Sequence, residues 1–175
     1  MNTYAVIPVR QEEGRVGAVV ADLRRHAPDL RVVVVDDGSW DRSADEAGAA
    51  GAAVLRLPVH LGYGAALQTG FKYAVSRGAE AVVTLDGDGQ HDPAFVGALL
   101  APIQAGEADL AVGSRFLWPE PYPIGPIKRC GVWLFRRLAF LLCGLRLTDP
   151  TSGFQAMGGH VARFCATDVY PHDYP

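Results

Sequence analysis

Short apolar runs alternate with longer stretches of helical period along this chain. Residues 5–9, 31–35, 53–57, 81–85 and 110–112 are apolar runs of strand length. Between them, residues 16–26 place Val16, Val19, Val20 and Leu23 on one helical face. Residues 43–50 predict a shorter helix with Ser43 as its N-cap. Residues 65–77 predict a helix closed by Gly78, which suits a left-handed cap. Pro93 stands at a favoured first helical position and opens another. Strand–helix–strand repeated with short connections predicts an α/β fold, a mostly parallel central sheet flanked by helices and joined by right-handed crossovers. The Val-rich run at 31–35 suits a strand buried on both faces. On such sheets ligands bind outside the carboxyl ends of the strands. The polar clusters of this chain follow the second and fourth predicted strands.

The pattern changes after Gly113. Residues 118–126 carry four prolines and read as an irregular loop. Residues 132–145 are apolar nearly all round, interrupted by Arg136, Arg137 and Gly144. That stretch is too short and too broken to span a bilayer, which takes about 20 apolar residues. Two readings fit it: a helix lying in a membrane interface through Trp133, Phe135 and Phe140, or a core helix whose arginines snorkel to water.

Composition narrows the classes. A chain of 175 residues suits a single domain over 1–175 with a real hydrophobic core. A net charge of −3 gives no electrostatic footing for nucleic acid as a partner. Cys130, Cys143 and Cys165 form neither a short pair nor a metal-binding spacing, which points to reduced thiols and a cytoplasmic setting. The chain enters its first apolar run without a basic leader, so no signal peptide is expected.

Two acidic turns carry the chemistry. In Asp36-Asp37-Gly38-Ser39 two acids leave a buried strand with side chains pointing different ways. One acid can face a ligand while the other braces the loop, although Asp, Gly and Ser also make ordinary turns. In Asp86-Gly87-Asp88-Gly89-Gln90 two carboxylates lie two residues apart at a strand end. Extended backbone would turn both to one side, toward one hard cation that completes its shell with phosphate oxygens. The glycines, Gly87 among them, let a pyrophosphate approach the backbone. An EF-hand loop from Asp86 would need Gly at its sixth position and Glu at its twelfth, where His91 and Gly97 stand. An aspartyl-phosphate hydrolase would place this motif on an early strand; a purely structural turn remains open. Arg115 presents a fork suited to phosphate, or is a solvated surface charge. Residues 148–154 read as a capped turn.

Together, Ile7-Pro8 with Glu12, the Asp36–Ser39 turn, residues 60–66, the Asp86–Gln90 turn, Gly113-Ser114-Arg115-Phe116 and Asp149-Pro150-Thr151-Ser152-Gly153-Phe154 resemble family 2 glycosyltransferases of GT-A fold. The branch most similar glycosylates polyprenyl phosphates and includes dolichol-phosphate mannose synthases. The resemblance implies a donor pocket of Pro8, Glu12, Asp36, Asp37, Gly64, Asp86, Gly87 and Asp88 for a UDP- or GDP-sugar. It implies Mg2+ or Mn2+ on Asp86 and Asp88 with Gln90 close by. It implies Arg115, Lys128, Arg129 and Ser152 at the acceptor phosphate, and Asp88, Arg115 and Asp149 as the catalytic group. The implied reaction is inverting transfer to a polyprenyl phosphate by an enzyme peripheral at the inner face of the membrane, with 118–145 as acceptor loop and interface helix. Members often carry Asn where His60 stands, and they continue through a C-terminal segment that this chain is expected to lack. A transferase to a saccharide or protein hydroxyl, and a non-catalytic nucleotide-sugar-binding module, are the alternatives.

Overall fold

All seven residues of strand β1, Thr3–Val9, are buried, a burial that requires neighbours on both edges and layers on both faces. The computed structural model describes residues 1–117, 126–144 and 148–168, with the side chains of 126–130 and 143 outside the description. β1 lies inside a six-stranded sheet of order β3-β2-β1-β4-β6-β5. Strands β2 (Arg31–Asp36), β3 (Ala53–Arg56) and β4 (Ala81–Thr84) run parallel to β1, with Val6 opposite Val33 on one side and Thr84 on the other. Strand β6 (Gln155–Gly158) enters antiparallel between β4 and the short β5 (Leu110–Val112).

Helices cover both faces, and strand alternation sorts the core into two. On one face Ala5, Ile7, Val34 and Val83 pack with Val16, Val20 and Leu23 of α1 (Val16–His26), next to α2 (Ser43–Ala49). Val96, Leu100 and Ile103 of α4 (Val96–Gln104) complete that layer. On the other face Tyr4, Val6, Val33 and Val82 meet Leu67, Phe71 and Ala74 of α3 (Tyr63–Ser76) and Ala162 of α6 (Gly159–Thr167). The remaining helix, α5, spans Pro126–Cys143.

The expected α/β architecture is therefore present, with local corrections. β6 was not among the expected strands, because Gln-Ala-Met-Gly lacks both a β-branched run and an alternating pattern. Pairing supplies its strand character: Ala156 lies between Val83 and Ala111 and is fully buried. Ser43 is the first helical residue of α2 rather than its cap, and the Asp41 carboxylate accepts its N–H at 3.0 Å. Pro93 opens a single 3-10 turn, Pro93–Phe95, capped by Asp92, before α4 begins. Gly78 does take a left-handed conformation, φ +72°, after α3.

Candidate active site

The chain runs from β1 outward to β2 and β3, then returns to β4 on the other side of β1. The carboxyl ends of β1 and β4 thus flank the point where the strand order reverses, the place where open α/β sheets hold ligands. A cleft of about 320 Å3 opens there. Its walls include Pro8, Arg10 and Glu12 after β1, Asp37 after β2, His60 and Tyr63 at the start of α3, and Asp86, Gly87 and Asp88 after β4.

The first acidic turn is built as a brace. Asp36 accepts the Ser39 N–H at 3.1 Å, stays buried and does not line the cleft. Asp37 lines it, and accepts from Leu61 N–H at 2.7 Å, Gly62 N–H at 3.0 Å and His60 Nδ1 at 2.7 Å. Asp37 therefore ties the segment entering α3 to the end of β2. Gly38 makes that approach possible: its φ is +68°, and a Cβ there would stand 2.7 Å from the His60 nitrogen. Glu12 is held by its own N–H, which donates to Ser43 Oγ at 2.8 Å. Gly64 lies buried in the first turn of α3 and does not line the cleft, whereas its neighbour Tyr63 does.

The second acidic turn differs from the extended arrangement expected of it. Strand β4 ends at Thr84, and residues 87–88 form a turn, so alternation along a strand does not align the two carboxylates. The turn itself brings Asp86 and Asp88 to the same cleft. It can do so because Gly87 packs against β1: a Cβ there would meet Val9 Cγ2 at 2.7 Å. Asp86 Oδ1 accepts from the Tyr63 hydroxyl at 2.9 Å, and Asp88 Oδ1 accepts the Gln90 N–H at 2.9 Å. The Asp86 N–H donates to His91 Nδ1 at 3.1 Å, so that nitrogen carries a lone pair and the imidazole is neutral. Burial pushes His91 below its ordinary value against the opposing pull of Asp86 and Asp88, so its 3.6 Å contact with Asp86 Oδ2 is no ion pair. Stacking on Phe154, with centroids 5.2 Å apart, holds the ring in place.

Asp86 and Asp88 are a hard-oxygen pair, and among the described residues no group of three metal-capable side chains converges. Such a pair fits a divalent cation that takes its other ligands from phosphate and water. The Gln90 side chain stands apart from the pair's cleft and lines the neighbouring one.

That second cleft, about 380 Å3, lies beyond β4 at the ends of β5 and β6. Arg115, Ser114, Ser152 and Gln90 give it a polar side, and Phe95, Leu99 and Leu117 an apolar one. Arg115 is clamped: its Nε and Nη2 donate to the two oxygens of Asp149 at 2.7 and 3.0 Å, and its Nη2 also donates to Thr151 Oγ1. Asp149 is 1% exposed. Burial alone would raise its carboxyl pKa, but the hydrogen bonds from Arg115 and Thr151 outweigh that and hold it below the usual carboxylate range. In this arrangement both oxygens of Asp149 accept from Arg115, and one of them also from Thr151. Ser152 is buried at the cleft wall, its Oγ accepting the Phe154 N–H. The side chains of Lys128 and Arg129 lie outside the described residues.

Tyr63 and His91 are site residues that motif reading missed. Tyr63 was visible inside the glycine-rich stretch 60–66, but its reach to Asp86 was not. His91 was passed over because it disqualified a calcium loop, with no sign of the backbone group it would accept. In α5, Trp133, Leu134, Phe135, Leu138, Phe140, Leu141 and Leu142 are all exposed. Among the described residues no helix is long and apolar enough to cross a membrane.

Comparison with known proteins fits this geometry. The family model described as Glycosyl transferase family 2 matches residues 4–154. The chain is 32% identical over 169 residues to polyprenol monophosphomannose synthase of Mycolicibacterium smegmatis, covering 88% of this chain and 60% of that one. It is 32% identical over 175 residues to undecaprenyl-phosphate mannosyltransferase of Micrococcus luteus, covering 97% of this chain and 71% of that one. Among solved structures it resembles glucosyl-3-phosphoglycerate synthase of Mycobacterium tuberculosis in complex with Mn2+, UDP and glucosyl-3-phosphoglycerate. The TM-score is 0.69 at 26% identity, over 91% of this chain and 57% of that one.

Proposed function

The chain belongs to glycosyl transferase family 2, and from that premise we propose that it transfers a sugar from a UDP- or GDP-sugar to a polyprenyl phosphate, with inversion at the anomeric carbon. The observation that carries the reading is the pairing of two unlike clefts. One has a carboxylate pair at the switch point of the sheet; the other has a clamped guanidinium facing an apolar wall. An acceptor with a phosphate head and a hydrocarbon tail matches the second cleft on both counts. The names of the two relatives specify polyprenol and undecaprenyl phosphate, which supports the acceptor class. The Mn2+ and UDP in the mycobacterial structure support the donor and metal classes.

In this mechanism Asp86 and Asp88 hold Mg2+ or Mn2+, whose charge, when bound, offsets that developing on the nucleoside diphosphate leaving group. Tyr63 fixes Asp86, and the Gln90 N–H fixes Asp88. Pro8, Glu12 and Asp37 line the nucleoside end. Arg115 binds and aims the acceptor phosphate, with Ser152 beside it. A phosphate is already anionic near neutral pH and attacks without a general base. Asp149 accordingly serves as a positioning residue, holding the guanidinium in plane. The exposed apolar side chains of α5, with Arg136 and Arg137 among them, would rest on the inner leaflet and bring the lipid acceptor to the second cleft.

A transfer assay tests this. The chain with Mn2+ and radiolabelled UDP- and GDP-sugars is offered undecaprenyl phosphate, 3-phosphoglycerate or undecaprenol. Label entering undecaprenyl phosphate is the expected result. Label entering only the phosphoglycerate, or only the alcohol, overturns the acceptor. Donor binding with no transfer at all favours a nucleotide-sugar-binding module.

A further inference from the structure

The donor cleft has an electrostatic problem. Glu12, Asp37, Asp86 and Asp88 all line it, and a nucleoside diphosphate brings further negative charge. A divalent cation on Asp86 and Asp88 relieves one end. At the other end, among the described lining residues, Arg10 and His60 are the two that can carry positive charge.

His60 is mounted as a fixed group. Its Nδ1 lies 2.7 Å from Asp37 Oδ2, and Asp37 also holds the N–H groups of Leu61 and Gly62. The backbone behind it is backed by the Gly38 turn, which leaves no room for even a methyl group. Asp37 already accepts two backbone N–H groups, so it acts as the acceptor toward His60 and the proton of the neutral ring is assigned to Nδ1. The neutral ring therefore leaves its lone pair on Nε2. That nitrogen has no partner among the described residues, on a side chain that is 46% exposed where it lines the cleft. A second proton can enter only at Nε2, on the side away from Asp37.

We propose that His60 is a donor-binding residue whose protonated Nε2–H donates to an oxygen of the nucleoside diphosphate, coupling donor affinity to pH. The inference rests on the donor-site reading above. The charged and titratable groups that line the cleft with His60 are Asp37, hydrogen-bonded to the ring, Arg10 and Glu12 on the loop after β1, Tyr63 on α3, and Asp86 and Asp88 after β4. Because the Nε2–H hydrogen bond needs the ring's second proton, the gain in binding it supplies is lost as pH rises. Imidazole is the side chain whose ordinary titration lies between about pH 5 and 8.

Isothermal titration with UDP-glucose and GDP-mannose, in Mn2+, from about pH 6 to about pH 8 tests the inference. These probes have no phosphate group titrating in that range, so the ligand does not mimic the signal. His60→Asn is the informative variant, because the Asn amide N–H can replace Nδ1 on Asp37 while nothing replaces Nε2. The expected outcome is a melting temperature close to wild type and a ratio of wild-type to variant affinity of about tenfold at the acid end, falling toward unity at the alkaline end. His60→Gln, which can place an N–H near the Nε2 position but loses the brace, should bind without pH dependence and melt earlier. Equal pH profiles for wild type and His60→Asn would overturn the role of His60 while leaving the donor site standing. Failure of wild type to bind either probe would overturn the donor site and this inference with it.

Discussion

The two halves of the site are built differently. The proposed donor half rests on β1, β2 and β4, buried on both faces of the sheet apart from Arg31, and its carboxylates Asp37, Asp86 and Asp88 each accept a hydrogen bond. The proposed acceptor half hangs from the antiparallel pair β5 and β6 at the sheet edge, with half-buried or exposed residues in β5 and a helix carrying exposed apolar side chains following it. Fixed geometry suits a ligand whose pyrophosphate must meet a cation at one place. An exposed, apolar surface would suit the proposed lipid-borne acceptor. The lesson is that burial within one domain follows from where a segment sits in the sheet as much as from its own composition.

The comparison breaks first at the carboxylate pair. Asp88→Ala should lower kcat by about 10^3 with the melting temperature nearly unchanged, since the role proposed for Asp88 is to hold the cation rather than to pack the core. Turnover near wild type in a donor-saturated assay would remove the metal site from the donor half. Core against helix is the next contrast. Phe71→Ala, on the buried face of α3, should cost about 3–5 kcal/mol by urea denaturation. Phe135→Glu, on α5, should cost within about 0.5 kcal/mol and abolish liposome co-sedimentation. Comparable losses at both positions would show that α5 belongs to the core after all.

Arg115→Lys keeps the charge but loses the fork that matches Asp149. It should lower kcat/KM for the prenyl phosphate by about 10^2 while donor affinity holds, which a donor-binding titration checks. A drop in donor affinity instead would join the two clefts into one unit. The smallest effect sharpens the role of Asp149. Its folded pKa is depressed, so the stability it contributes is complete above the unfolded carboxyl value of about 3.9 and is lost as pH falls through the lower folded value. The gap in melting temperature between wild type and Asp149→Asn should therefore be constant at neutral pH and narrow below about pH 4. A gap that does not move with pH would mean that Asp149 acts by packing alone.

Much of this was legible in the residues. Apolar period located the parallel strands and most helices to within a few positions, because burial on a sheet face or a helix face imposes its spacing on the sequence. The acids after the second and fourth strands could be expected near a ligand cleft because parallel sheets present their carboxyl ends to ligands, and Asp37, Asp86 and Asp88 do line one cleft. What local pattern could not carry was any group whose role depends on a distant partner. β6 is a strand because it lies between β4 and β5, not because Gln155–Gly158 favours extension. Tyr63 serves Asp86 across 23 residues, and Asp149 serves Arg115 across 34. The turn at Gly87, not strand alternation, aligned the carboxylates. Sequence by itself determined which segments bury their side chains, since that is a property of each segment's own periodicity. The tertiary structure alone decided which polar groups meet, since a hydrogen bond is specified by two positions and neither one encodes the other.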